Sequence, residues 1–514
     1  MIGRKLSIGA ALCASVAATA LADVSVSGFF TDNMVLQRDK SVPVWGKADP
    51  GESVTASYGG KTVSGRADGK GEWKVRLPAM KWSGEGKSLT VKGAKNEVAL
   101  KNIVVGDVWM ISGQSNAEMS FSWGVIQGKE AMAAAKDFPN IRTVKFRHET
   151  NPFGGRYEPC NWGGWQVCRP DNMRSVTVLG YFFAKELNER TGIPIGILDN
   201  NWSGCRVEPF TPEAGMKTVP ELAKDLADFR AQRQKLVDWC SAVSAARESG
   251  RFDAAGIMPE ISMWTRQYNA MVAPITEFPI AGATWYQGCS NEKDGLSYAP
   301  KLKALVNGWR KAWGYEFPFY IVQLASFGRK NDSPAGGDGF SAVREAQRLV
   351  SLDVPKSGLA VAIDIGNGPD IHPKNKVDVA DRLARWARRD VYGEKGVVVS
   401  GPMFREQKIE ANRIRLTFDH VASGLMAGER DPDAPKTMPV PTEGAKLRGF
   451  AIAGADKKWH FADAVIDGDT VVVSSAEVAQ PVAVRYAYRA NALGDCNLYN
   501  KDGLPAVPFR TDSW

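Results

Sequence analysis

From Val24 to about Asn102, apolar and polar positions alternate in short runs such as VTASY and LTVKG, broken by YGGK, DGKGE and GEGK. Alternation of period two with turn residues at this density predicts a small β-sandwich. Near Ile103 the pattern changes. Apolar runs at 103–111, 192–198 (GIPIGIL), 280–285 (IAGATW), 317–325 (FPFYIVQLA) and 358–365 (GLAVAIDI) read as strands buried on both faces of a parallel sheet. Helical periodicity at 180–190, 340–350 and 377–391 predicts the helices that cover it. In the last of these, Val379, Leu383, Trp386 and Ala387 share one face, with Arg382, Arg385 and Arg388 elsewhere. Residues 221–250 read as an inserted helical pair, the centre of an insertion spanning about 215–260. From Val397 onward, RIRLTFDH, TVVVSS and VAVRYAY restore the strand pattern as far as Trp514. The expected organisation is a β-sandwich over 23–102, an α/β core over 103–395 and a β domain over 396–514.

The first 22 residues lie outside this scheme. A basic start (Arg4, Lys5), an apolar stretch from Leu6 to Ala18 and Ala20-Leu21-Ala22 form the pattern of a cleaved signal peptide. The stretch falls short of the roughly 20 apolar residues a membrane span needs. An exported protein, periplasmic or extracellular, is therefore expected. Losing Arg4 and Lys5 takes the formal charge from +8 to +6, with the remaining Lys and Arg scattered. That distribution excludes a nucleic-acid footprint and leaves a mild field favouring an acidic substrate. Cys160, Cys168, Cys205, Cys240, Cys289 and Cys496 remain, an even number that in an exported chain points to disulfides. CxxC and HExxH are absent and the four histidines are far apart, so no metal site is expected.

An open α/β sheet does its chemistry at the carboxyl ends of its strands. Four predicted strand ends carry polar residues: Gly113-Gln114-Ser115-Asn116, Asn201-Trp202-Ser203-Gly204, Gln287-Gly288-Cys289-Ser290-Asn291 and Asp370-Ile371-His372. Ser115, at a strand-to-helix break, reads either as a nucleophile or as a helix N-cap. The G-x-S-x-G elbow is disfavoured because Ala117 stands in the last glycine's place. His372 is the candidate general base, with Asp370 either orienting it or capping a turn. His148, within KFRHETN, has no predicted strand end beside it. Gly204 through its N–H and Asn291 through its side-chain amide are candidate oxyanion donors, or plain turn formers. Gln114 and Gln287 are candidate substrate contacts.

Taken together, these blocks resemble the SGNH hydrolase superfamily and, more closely, the bacterial sialate O-acetylesterase family. The likeness is carried by FTDNMVLQRDKSVPVWGKADPGE (30–52), GDVWMISGQSN (106–116), WYQGCSN (285–291), VREAQ (343–347), DIGNGPDIHPKNK (364–376), GFAIAGADKKW (449–459) and GLPAVPFRTDSW (503–514). The resemblance implies a three-layer α/β/α flavodoxin-like core with flanking β domains and no cofactor. It implies Ser115 as nucleophile, His372 as base, and Ser115, Gly204 and Asn291 as oxyanion donors. The substrate implied is an O-acetylated sialic acid, with acetylated xylan as rival; a non-catalytic glycan-binding protein is the reading from another class. Arg206 is a candidate partner for a sialate carboxylate, or a salt-bridge residue. Two positions depart from the family pattern, W-G-G-T becoming Trp202-Ser203-Gly204-Cys205 and Q-G-E-S-N becoming Gln287-Gly288-Cys289-Ser290-Asn291. A Cys205–Cys289 disulfide or a pair of free buried thiols is the expectation there. Loss of the glutamate throws the triad acid onto Asp370, with Asp364 as alternate.

Overall fold

The computed structural model describes residues 23–154, 163–248, 257–442, 444 and 446–514. The expected signal segment and Cys160 lie outside the described residues. Strand β1 (Glu97–Gly113) is the axis of the molecule. Its first half pairs antiparallel with Ser83–Lys92, which pairs with Ser53–Tyr58 in the N-terminal sheet. A second, three-stranded sheet (Ser25–Val26, Val42–Lys47, Glu72–Leu77) accompanies it. From Asp107 the same strand runs into the parallel sheet, so the boundary expected at 102/103 falls inside one continuous strand.

That sheet adds β2 (Ile141–Lys145), β3 (Ile195–Asn201), β4 (Gly282–Tyr286), β5 (Phe319–Val322) and β6 (Ser357–Ala360), in the order β2-β3-β1-β4-β5-β6, all parallel. Strand order reverses at β1, the switch point where an open α/β sheet opens a crevice. The serine-bearing one-turn helix α1 (Ser115–Glu118) follows β1 directly. Helices α2 (Val178–Thr191) and α6 (Lys376–Asp390) pack together, while α4 (Tyr298–Trp313) packs with α5 (Gly339–Asp353), completing a mixed α/β architecture.

Three local expectations change. Where a helical pair was expected at 221–250, residues 223–248 form one continuous 26-residue helix, α3 (Ala223–Glu248), among the described residues. Helix α4 was not among the expected elements, although Leu302, Leu305, Val306, Trp309 and Trp313 follow helical spacing and are buried; at Gly308, Pro212 and Gly215 press against the helix backbone. In α6 the predicted apolar face is buried, but Arg382 is buried too, forked onto Asp364 at 2.7 and 2.8 Å. Such a pair reads as surface charge in sequence and as core in space.

Beyond residue 402 the chain forms three further β-sheets. They are attached to the core at several points, among them the Arg430–Asp378 and Lys436–Glu186 ion pairs and one wholly buried cation. Arg344 of α5, wholly buried, donates to the carbonyls of Leu324 and Ala325 at the end of β5 and to those of Arg489 and Ala490. Among the described residues no helix is long and apolar enough to cross a membrane.

Gly113 ends β1 at φ +145°, and a Cβ there would stand 2.2 Å from the Tyr286 carbonyl oxygen. Gly113→Ala should therefore cost more than about 1 kcal/mol, measured as a lower urea midpoint at unchanged m-value.

Candidate active site

The parallel register sets Asn201, Gly113 and Tyr286 side by side, so β3, β1 and β4 end level. Two backbone hydrogen bonds cross this rim: Trp202 N–H to Gly113 O and Gln114 N–H to Tyr286 O, both 3.1 Å. Ser115 is the first residue of α1, where a backbone N–H has no intrahelical acceptor. Its Oγ lies 2.8 Å from His372 Nε2. The imidazole arrives from the far edge of the sheet, on the long loop between β6 and α6. Asp370 Oδ1 accepts from the His372 N–H at 2.9 Å and lies 3.2 Å from Nδ1. The structure thus brings Ser115, His372 and Asp370 into one chain of contacts. No helical N-cap bond is made by the Ser115 side chain; the cap position belongs to Gln114.

Burial lowers the pKa of His372, partly offset by the charge and hydrogen bond of Asp370. The imidazole is therefore held neutral, as a base requires, down to a pH below its ordinary range. Against the upward push of burial, the His372 N–H and Lys374 hold Asp370 below the usual carboxylate value. Asp364, the alternate acid, does not reach the histidine; it is spent on Arg382. Gly204 is exposed at φ +73°, its carbonyl fixed by Ser290 Oγ at 3.0 Å, and its N–H meets no acceptor among the described residues.

Three expected roles are corrected, and Arg206 makes the salt bridges that were its alternative reading. Asn291 is fully buried, and its amide is committed: Nδ2 donates to Glu208 (3.1 Å) and Asp294 (2.6 Å), while Oδ1 accepts from Val207 N–H and Gln287 Nε2. No N–H remains for an oxyanion. Gln287 is equally buried, bonded to the Cys205 carbonyl, Asn291 and Tyr298, and Gln114 Oε1 accepts from the N–H groups of Gly288 and Ser290. Both glutamines bind loops, not substrate. Arg206 uses all its nitrogens, on Glu208, Asp294 and the Ser290 carbonyl. Cys205 and Cys289 are free thiols; Cys205 Sγ turns to the Gly113 carbonyl at 3.5 Å, and burial pushes the Cys289 thiol up to about 12.

Several residues went unread in the sequence. A strand, β2, does end three positions before His148, which bonds Glu118 at 2.9 Å and stacks on Trp202 at 4.6 Å. The other Glu118 oxygen accepts from the Ser203 N–H and Oγ, both 2.7 Å, tying α1 to the Gly204 loop. Trp123, 42% exposed, stands edge-on to the His372 ring at 5.3 Å. A cavity of about 610 Å³, lined by Asn140, Arg142 and Arg169 near the opposite end of β2, holds none of these groups. The serine stands instead on an open rim.

A parallel α/β sheet with a serine and histidine in contact at its switch point defines a carboxylic ester hydrolase. Residues 254–388 match the family model described as carbohydrate esterase, sialic acid-specific acetylesterase. The chain is similar over 96% of its length, at 35% identity and a TM-score of 0.79, to all of a carbohydrate acetylesterase of Xanthomonas citri whose crystal structure is known. It is 27% identical over 93% of both chains to the sialate O-acetylesterase of Mus musculus and 24% identical over 76% of both to that of Homo sapiens. The chain belongs to this family of carbohydrate acetylesterases.

The knot behind the rim carries its own pH dependence. Despite burial, Arg206 and Lys301 hold Glu208 below its ordinary 4.5. Because the folded value is the lower one, this stabilisation is complete above about 4.5 and is lost as pH falls. Glu208→Gln should cost roughly 1–3 kcal/mol at neutral pH. Its urea midpoint should then fall less than that of wild type as the solution is acidified through this window.

Proposed function

We propose that the protein is an exported serine esterase that removes O-acetyl groups from sialic acid by acyl transfer. The observation that carries this reading is the 2.8 Å contact between Ser115 Oγ and His372 Nε2. Ser115 attacks the acetyl carbonyl as its proton passes to Nε2, and Asp370 stabilises the imidazolium through Nδ1. The N–H groups of Ser115 and Gly204 face the developing oxyanion. The imidazolium then protonates the departing sugar hydroxyl. Water, deprotonated by the same nitrogen, cleaves the acetyl-serine and releases acetate. Relatives named sialate O-acetylesterase support the choice of sugar.

A second reading has one observation in its favour. Sialic acid carries a carboxylate, and the guanidinium expected to meet it, Arg206, is already paired with Glu208 and Asp294. That favours a neutral acetylated sugar such as acetylated xylan. Ser115→Ala should abolish acetate release, at a cost of at least about 1000-fold in kcat. Acetate release from O-acetylated sialic acid set against that from acetylated xylan separates the readings: a large preference for xylan overturns the sialate assignment. For wild type, kcat/KM should decline on acidification only as pH passes below the ordinary histidine range, because His372 is shifted down.

A further inference from the structure

Lys376 is wholly buried at the start of α6 and makes no ion pair with a carboxylate among the described residues. Its Nζ donates to Asn116 Oδ1 at 2.8 Å and to the Pro373 carbonyl at 2.5 Å, with the Tyr286 ring 5.7 Å away. Asn116, the residue after the serine, donates from Nδ2 to the Ile371 carbonyl at 2.9 Å. Between them these two side chains grip the carbonyls on both sides of His372. An unpaired buried ammonium costs several kcal/mol against an apolar residue of the same shape, so the fold alone gives no reason for a lysine there.

We propose that Lys376, acting through Asn116, is a positioning residue for the esterase reaction: it clamps the histidine loop to the serine helix and so holds the imidazole in line with Ser115. The proposal rests on the acyl-transfer reading above. The clamp is needed because the histidine belongs to β6, at the sheet edge, while the serine belongs to β1, with β4 and β5 between them. A drift of about 1 Å between two reacting groups costs up to roughly 100-fold in rate. The charged and titratable neighbours are His372, Asp370 and Lys374 of the same loop, Cys289 of the third block and Tyr286 of β4. Burial, then Lys374, brings the lysine down to about 7, and its charge adds to the downward shift of His372.

The test uses the full-length protein with p-nitrophenyl acetate across a pH series, comparing wild type, Lys376→Met, Asn116→Ala, the double variant and Ser115→Ala. Lys376→Met should lose roughly 10- to 100-fold in kcat with little change in KM. Its acidic limb should move upward, because the imidazole loses a neighbouring positive charge. Asn116→Ala should lose kcat comparably, and the double variant should fall little below the worse single, as expected for two groups acting through one shared bond. Wild-type kcat and pH profile in either single variant, with Ser115→Ala inactive, overturns the positioning role alone. If Lys376→Met fails to fold, the kcat and KM of Asn116→Ala decide. Activity surviving in Ser115→Ala overturns the acyl-transfer reading itself.

Discussion

The site depends on three parallel strands ending level at the point where sheet order reverses. Asn201, Gly113 and Tyr286 are in register, and the hydrogen bonds across their ends leave no space for a side chain at position 113. Ser115, with its hydroxyl and N–H, and the Gly204 turn are attached within a few residues of those ends, while His372 reaches them from the loop after β6. A slip of one residue in either pairing would turn the strand ends to the opposite face and separate the serine from its neighbours.

Behind the rim lies a layer of buried and half-buried polar groups. Gln114, Gln287 and Asn291 bond loop backbones to one another, and Arg206, Glu208, Asp294 and Lys301 surround Asn291 with paired charge. Buried polar groups are costly unless each finds its partner, and a network in which nearly every donor and acceptor is matched admits few alternative arrangements. The result is a stiff floor under the turns at Gly204 and Gly288. Rigidity of that kind suits a reaction whose oxyanion donors must be in place before charge develops.

The flanking β regions join the core in different ways. The N-terminal sheet shares a strand with it, so the two are continuous through β1. The C-terminal region is joined through side chains: Arg344 gathers carbonyls from both sides, and Arg430 and Lys436 pair with Asp378 and Glu186 of the core helices. Pocket volume sits elsewhere in the molecule, and the serine is presented on an open surface beside Trp123 and Trp202. A shallow rim with exposed aromatic rings fits a substrate that is itself bulky and only partly engulfed.

The sequence by itself determined the elements. Alternation, apolar runs and helical periodicity are local properties, so five strands of the parallel sheet and three of its covering helices were legible, as were the polar residues at their ends. Strand β2 was missed where charge blurred the period, and helix α4 although its apolar residues Leu302, Leu305, Val306, Trp309 and Trp313 keep helical spacing. Ser115 and His372 were legible as chemistry because few residue types do that work. Tertiary structure decided which polar side chains are free to act. Asn291, Gln287 and Arg206 look like site residues in sequence because they border the serine's loops, but their partners lie up to 88 positions away. Lys376 and Arg382 look like solvent-facing charge and are buried. Serine and histidine are 257 positions apart, and their meeting, like each of these pairings, is set by distances between segments that no local pattern records.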